Sequence, residues 1–150
     1  MTKTDQPSRA LPTNLKELRE FAMQLNKGKY SNVPAHAIPK PQPFKDSSAN
    51  ELTKSVLYDL IEVRGAAAYR INNVGIWDAK RGVYRKGGTV KGIPDIIGVL
   101  NGRFIGIEIK YGKDRQSADQ KVVEQEIQGA GGVYFIAKSY ADYLENINSL

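Results

Sequence analysis

One Asn-Gly pair, Asn101-Gly102, constrains the fold of this chain more than any other feature of its sequence. Apolar, mostly β-branched runs lie on either side of it, over residues 96–100 and 103–109. Type I′ turns require a positive φ at both central positions, and Asn followed by Gly adopts them readily. The pattern therefore predicts a β-hairpin in which Leu100 pairs with Arg103.

The predicted register of this hairpin brings charged side chains together at its open end. Counting outward from the turn, Ile97 faces Gly106 and Asp95 faces Glu108. Directly opposed residues of an antiparallel pair share one face, with Cβ atoms about 4.5–5.5 Å apart. Lys110 lies two residues beyond Glu108 and so projects from the same face. The turn alone thus predicts a cluster of two carboxylates and one ammonium group.

Such a cluster is unfavourable unless a cation compensates the carboxylates. Two ionised carboxylates about 4 Å apart repel by roughly 4 kcal/mol at an effective dielectric constant near 20. A divalent cation between Asp95 and Glu108 makes the energy favourable, and oxygen ligands suit Mg²⁺ or Mn²⁺. The alternative is that Lys110 neutralises the pair in a surface ion cluster. The lysine two positions after Glu108, and Pro94 before Asp95, favour a metal site.

The same residues resemble the signature of a nuclease superfamily. Pro94-Asp95 followed by Glu108-Ile109-Lys110 is similar to the motif of the PD-(D/E)XK nucleases. Gly92 and Gln120 narrow the resemblance to the virus-type replication-repair nuclease (VRR-NUC) family, over a region from about Ser48 to the C-terminus. This resemblance implies an α/β fold with a restriction-endonuclease-like core, in which helices flank a mixed central sheet. It also implies a DNA endonuclease that leaves a 5′-phosphate and acts on branched DNA in replication and repair.

The resemblance assigns roles to the clustered residues. Asp95 and Glu108 would hold Mg²⁺ or Mn²⁺, with the carbonyl oxygen of Ile109 as a further ligand. A bound cation lowers the pKa of a water ligand and stabilises charge on the phosphate. Lys110 would orient or help to deprotonate that water and stabilise the transition state.

Two further residues match positions of the family, and each has an alternative role. Glu51 matches a glutamate that the first helix contributes to the site, but with Ser48 it also forms a capping-box pattern. Gln120 matches a glutamine near the metal, but it occupies the capping-box position after Ser117. Both alternatives stay open at the level of the sequence.

The charge of the chain favours a polyanionic partner, since the net charge is +6 and the isoelectric point is about 9.5. Residues 79–92 contain five cations and no acid, with Gly87-Gly88 in the middle, and so predict a cradle for the DNA backbone. The alternative is a solvated charged loop. Trp77 and Tyr84 are predicted to pack in the core rather than to stack on bases. The candidate DNA-binding residues are Arg70, Lys80, Arg81, Arg85, Lys86 and Lys91.

Composition divides the chain into residues 1–46 and residues 47–150. The first segment is predicted to contain a polar arm, a helix from Asn14 to Lys27 that Gly28 ends, and an extended linker with four prolines. The second is the nuclease-like domain. Its predicted elements are a helix headed by Ser48 and closed by Gly65, a strand from Ala66 to Asn72, a short hairpin over 76–84, the hairpin around Asn101-Gly102, a helix from Ser117, a strand from Val133 to Ala137 and a helix from Ser139 to Leu150.

Other features limit the classes of function. The chain has no cysteine, so disulfides and thiolate metal sites are excluded. It shows no apolar run of membrane-spanning length and no signal peptide pattern, which predicts no membrane partner and a cytoplasmic location. A homodimer is expected, with Tyr140 and Tyr143 or the helix from Asn14 to Lys27 as its contact surface. The rival functions are a restriction-type duplex endonuclease and a non-catalytic DNA-binding module.

Overall fold

The computed structural model describes residues 10–72, 75–85 and 90–150, without the side chains of Ile76 and Arg85. The chain divides into two compact units between Phe44 and Lys45. The helices and strands are α1 Leu15–Lys29, α2 Ala49–Tyr58, β1 Ala67–Arg70, β2 Ile76–Asp78, β3 Val83–Arg85, β4 Ile96–Leu100, β5 Arg103–Ile109, α3 Ala118–Gly129, β6 Val133–Ala137 and α4 Tyr140–Ile147.

The first unit contains α1 and the proline-rich segment. Asn14 caps α1, because its side chain accepts a hydrogen bond from the N–H of Glu17. The prediction that Gly28 ends this helix is wrong, since the helix continues through it to Lys29. Glycine inside a helix costs only about 1 kcal/mol relative to alanine, so it does not have to stop one. A short 3₁₀ turn, Ala35–Ala37, interrupts the otherwise irregular segment that follows.

The second unit is built on a four-stranded sheet with the order β1-β4-β5-β6. The β1/β4 and β4/β5 pairs are antiparallel, and the β5/β6 pair is parallel. A parallel pair requires a crossover connection, and α3 provides it. The predicted α/β class with a mixed sheet is therefore confirmed, and β4 and β5 are its two central strands.

The turn between β4 and β5 has the predicted conformation. Asn101 has a φ of 51° and Gly102 a φ of 78°, so both central residues are left-handed. The register follows, with Leu100 opposite Arg103 and Ile97 opposite Gly106. The hairpin prediction is confirmed from the Leu100–Arg103 pair to the Ile96–Ile107 pair. The predicted pairing of Asp95 with Glu108 lies beyond this register, since β4 begins at Ile96.

Helices cover both faces of this sheet. On one face Ile107 is fully buried, and its neighbour on β6, Phe135, lies 6.4 Å from the ring of Tyr143 in α4. On the other face α3 approaches Gly106 so closely that an added Cβ would lie 3.2 Å from Cδ1 of Ile127. The space beside Gly106 is therefore filled by α3 and by Pro94.

A buried polar network joins α2 to α4. The helical path of α2 continues into a π-helical turn, Asp59–Val63, whose first residue is fully buried. The Asp59 carboxylate accepts hydrogen bonds from the hydroxyls of Tyr140 and Tyr143 and from Nε of Arg64. Both tyrosines are buried, which contradicts the expectation that they form the contact surface of a dimer.

Two predicted boundaries in the second unit differ from the observed ones. The first strand is shorter, because β1 spans only Ala67–Arg70. The last helix stops at Ile147, with Asn148 as its C-cap. The hairpin β2–β3 forms as predicted and pairs with itself, separately from the large sheet. Within the part of the chain that the structure describes, every helix is too short or too polar to cross a membrane.

Candidate active site

Asp95 lies immediately before β4, where it is tied to two neighbouring strands. Its backbone carbonyl accepts a hydrogen bond from the N–H of Ile71 at 2.8 Å, just beyond β1. Its carboxylate oxygen Oδ2 accepts one from the N–H of Ile109 at 2.9 Å, at the end of β5. These bonds fix the half-buried carboxylate at the open end of the β4–β5 hairpin.

Glu108 is 2% exposed and has one oxygen engaged and one oxygen without a partner. Its Oε1 accepts hydrogen bonds from Nζ of Lys110 at 2.9 Å and from Nε2 of Gln120 at 2.5 Å. Its Oε2 is buried and has no hydrogen-bond partner within the described chain. Burial raises the pKa of Glu108 to about 7, the Lys110 ammonium opposes this, and the charge of Asp95 adds to it.

Lys110 is 6% exposed and forms two ion pairs, with Glu108 and, at 3.6 Å, with Asp114. Burial by itself lowers the pKa of this ammonium, but the hydrogen bond and charge of Glu108 outweigh it, and the pKa is raised. Lys110 is therefore a protonated donor at neutral pH. This favours the orienting role among the two that the sequence left open for it.

Gln120 forms the capping box and also contacts Glu108. Its Oε1 accepts from the N–H of Ser117 at 2.8 Å, which completes the capping box of α3. Its Nε2 donates to Glu108. Gly92 packs against the same helix start, with a φ of 81° and no room for a Cβ, which would lie 2.8 Å from the Gln120 nitrogen.

Glu51 stays outside this cluster. Its N–H donates to Oγ of Ser48 at 3.2 Å, which is the first half of the predicted capping box. Its carboxylate pairs with Nζ of Lys54 at 3.5 Å. The described contacts do not join Glu51 to Asp95 or Glu108, so its assignment to the site rests on the resemblance alone.

The carboxylate and carbonyl oxygens at the site are suitable ligands for a hard divalent cation. Among the described residues, no group of three or more His, Cys, Asp or Glu side chains is placed to hold a metal ion. Mg²⁺ does not need one, because it is usually held by one or two carboxylates together with waters and substrate phosphates. The unpartnered Oε2 of Glu108 is a buried acceptor that a cation would satisfy. Ile109 donates its N–H to Asp95, and the carbonyl of a strand residue points to the same side.

A basic cleft that the sequence analysis missed lies beside Lys110. Its volume is about 740 Å³, and Lys110 forms part of its wall. Its other cations follow the carboxyl ends of the parallel strands β5 and β6, which meet at one edge of the sheet. The sequence did contain a signal for this cleft, because Lys110 and Lys138 directly follow the apolar runs that form β5 and β6. The other residues that line this cleft are Gly112, Lys113, Asp114, Arg115, Gln116, Ile136 and Lys138.

The predicted DNA-binding residues are placed only in part. Arg70 is exposed and donates to Oδ1 of Asn50 at 2.7 Å. Lys80 and Arg81 are exposed at the turn of β2–β3, and Lys91 is exposed before Pro94. Arg85 belongs to β3, but its side chain lies outside the described residues, as do Lys86 and Gly87-Gly88 entirely.

Two aromatic residues contradict the sequence prediction. Trp77 and Tyr84 were expected in the core, but they are 54% and 72% exposed. Their burial required a covering element, and the described residues provide none along this face of the two-stranded β2–β3 sheet.

Comparison of the chain with protein-family models, with curated proteins and with solved structures finds no match. The function of the site is therefore argued from its own geometry and chemistry.

Proposed function

We propose that this chain is a metal-dependent endonuclease that hydrolyses phosphodiester bonds in DNA, with Asp95 and Glu108 as ligands of Mg²⁺ or Mn²⁺. One observation carries the proposal. Glu108 is buried and one of its oxygens has no hydrogen-bond partner among the described residues, beside a second carboxylate and the Lys110 ammonium. A group this buried is normally fully paired, and a perturbed carboxylate in such a setting is a candidate functional residue.

The resemblance to the PD-(D/E)XK signature supports the same proposal. The mixed sheet with helices on both faces is compatible with that core. The motif residues Asp95, Glu108 and Lys110 lie together at one end of the β4–β5 hairpin, and Gln120 reaches Glu108 from α3. The assignment to the VRR-NUC family remains a proposal that rests on these residues.

Each residue of the site has a chemical task in this proposal. A bound cation supplies Lewis-acid stabilisation of the phosphate and a more acidic water. Asp95 and Glu108 provide the negative charge that holds it, with the carbonyl of Ile109 alongside. Lys110 donates to an oxygen of the phosphate or of the attacking water, where charge develops in the transition state. Gln120 holds Oε1 of Glu108 and so fixes the orientation of this carboxylate.

The basic cleft gives the substrate strand a place next to these groups. It contains Lys113, Arg115 and Lys138 in addition to Lys110, against one acid, Asp114. Cations in a groove neutralise phosphates without regard to sequence, which suits a structure-specific enzyme. We propose branched DNA as the substrate. A homodimer, which would present two sites related by two-fold symmetry, stays a prediction.

The test is cleavage of labelled four-way junctions, flaps and plain duplex in Mg²⁺ and in Ca²⁺. Asp95→Asn and Glu108→Gln should abolish cleavage, because each removes a charged ligand, while DNA binding is kept or slightly tightened. Glu126→Gln, which makes the same charge change at an exposed position of α3, is the matched control. Near-wild-type cleavage by either site variant would refute the metal-site assignment.

The same experiment distinguishes the rival functions. Cleavage of plain duplex at a fixed sequence would indicate a restriction-type endonuclease. Tight binding of every substrate with no cleavage in Mg²⁺ would indicate a non-catalytic DNA-binding module.

A further inference from the structure

The segment that contains the β2–β3 hairpin lies between Ile71 and Asp95, which are hydrogen-bonded to each other at the candidate site. The backbone N–H of Ile71 donates to the carbonyl of Asp95 at 2.8 Å, so the intervening segment leaves the sheet and returns to it at the proposed metal ligand. Among the described residues, β2 and β3 pair with each other and with no other strand. A ligand of the hairpin would therefore be bound by a segment whose two ends, Ile71 and Asp95, both lie at the candidate site.

Two large aromatic side chains lie together on one face of this hairpin. Trp77 and Tyr84 are direct cross-strand partners, and their ring centroids are 5.1 Å apart at an interplanar angle of 61°. They are 54% and 72% exposed. An aromatic side chain gains much free energy from burial, so a solvent-exposed pair on one face indicates a surface that binds something.

The turn of the hairpin adds positive charge to this surface. Lys80 and Arg81 are both exposed there. The carboxylate of Asp78 accepts hydrogen bonds from the backbone N–H groups of these two residues, at 3.1 and 3.3 Å, and so is used to hold the turn. Exposed aromatic rings beside cations are the combination that binds single-stranded nucleic acid, since bases stack on the rings and phosphates contact the cations.

We propose that this hairpin binds unpaired nucleotides, with bases stacked on Trp77 and Tyr84 and phosphates held by Lys80 and Arg81. Base faces are available in flaps, gaps and open junction centres, but they are covered by neighbouring pairs within an intact duplex. The hairpin therefore selects DNA with unpaired bases, and it does so on a segment of the chain that leads directly to Asp95. This inference rests on the proposed nuclease function, since the bound DNA would be the substrate of the nuclease. The binding itself can be measured without cleavage.

The chain contains its own probe for this test, because Trp77 is its single tryptophan. The full wild-type chain, in EDTA so that no substrate is cut, is titrated with a single-stranded oligonucleotide, a flap and a blunt duplex of matched composition. Stacking predicts saturable quenching of tryptophan fluorescence by the single strand and the flap, and markedly weaker quenching by the blunt duplex.

Substitutions of Tyr84 leave the probe in place. Tyr84→Ala should weaken binding of the single strand about tenfold, as expected for the loss of one base–aromatic stack, and should change duplex binding little. Tyr84→Phe keeps the π face and should retain wild-type affinity. Val122→Ala on α3, at a side chain as exposed as Trp77, is the control for a lost apolar surface group. Circular dichroism establishes that each variant is folded.

Three results would overturn the inference. Equal quenching by the blunt duplex and the single strand would do so, and so would unchanged affinity of Tyr84→Ala for the single strand. Quenching that depends on protein concentration alone, with a dimer seen by light scattering, would make this face a contact between two copies of the chain. The nuclease proposal is tested separately. Quenching without any cleavage in Mg²⁺ would support nucleotide binding by the hairpin and would refute the nuclease activity.

Discussion

The buried carboxylate of Glu108 predicts that Mg²⁺ stabilises the folded chain, and that it does so more strongly at higher pH. Burial raises the pKa of this group from 4.5 to about 7. At about 1.36 kcal/mol for each pH unit, this difference corresponds to roughly 3 kcal/mol. That is the cost of keeping Glu108 ionised in the folded chain when no cation is bound.

The sign of the pH effect follows from the direction of the pKa change. Between pH 4.5 and about 7 the folded chain keeps a proton on Glu108 that the unfolded chain has released. In EDTA, this group therefore makes the free energy of unfolding fall as the pH rises through that window. A cation competes with the same proton. At pH 6, one unit below the folded pKa of about 7, only about one Glu108 in ten is ionised, so the apparent affinity for Mg²⁺ is about tenfold weaker than at pH 8.

The measurement is urea unfolding of the full chain in EDTA and in Mg²⁺ at about ten times its dissociation constant at pH 8. The expected gain in the free energy of unfolding is about 1.4 kcal/mol at pH 8 and about 0.4 kcal/mol at pH 6. Glu108→Gln should show no gain, whereas the control Glu126→Gln should keep it. An equal gain in Glu108→Gln, or equal gains at both pH values in the wild type, would refute the reasoning.

Three further outcomes are expected. Arg115→Ala should weaken DNA binding and reduce the slope of log K against log salt by about 0.7–0.9, one phosphate contact, in a filter-binding titration; Lys121→Ala, on the exposed side of α3, should not change the slope. Asp59→Asn should lower the free energy of unfolding by about 3–5 kcal/mol in urea, because it leaves a buried guanidinium without its counter-charge. Gly92→Ala should lose cleavage activity more than Gly112→Ala: both have a positive φ, but only the first would collide with α3.

The candidate cluster could be predicted because its geometry is local. Asn101 and Gly102 fix the turn by their backbone conformation, and the two-residue period of a strand then places Asp95 and Glu108 without knowledge of the rest of the chain. The capping box at Ser117 was equally visible, since it depends on a spacing of three residues.

The features that were missed depend on distant parts of the chain. The basic cleft joins Arg115 to Lys138 through the parallel pairing of β5 and β6, which exists only once α3 has crossed over. Exposure of Trp77 could not be read from its strand, because an aromatic pattern is the same whether or not another element covers it. The double role of Gln120 required the distance between α3 and β5, which no spacing along the sequence gives.

The two hydrogen bonds of Gln120 restrict which amino acids natural selection can retain at position 120. The capping box requires a hydrogen-bond acceptor on this side chain, and the bond to Glu108 requires a hydrogen-bond donor. An amide group supplies both, through its oxygen and its nitrogen. Glutamate would serve the cap but place a further negative charge against Glu108, and asparagine is one methylene too short to make both bonds. A library of all substitutions at position 120 should therefore yield folded chains with glutamate but active ones only with glutamine.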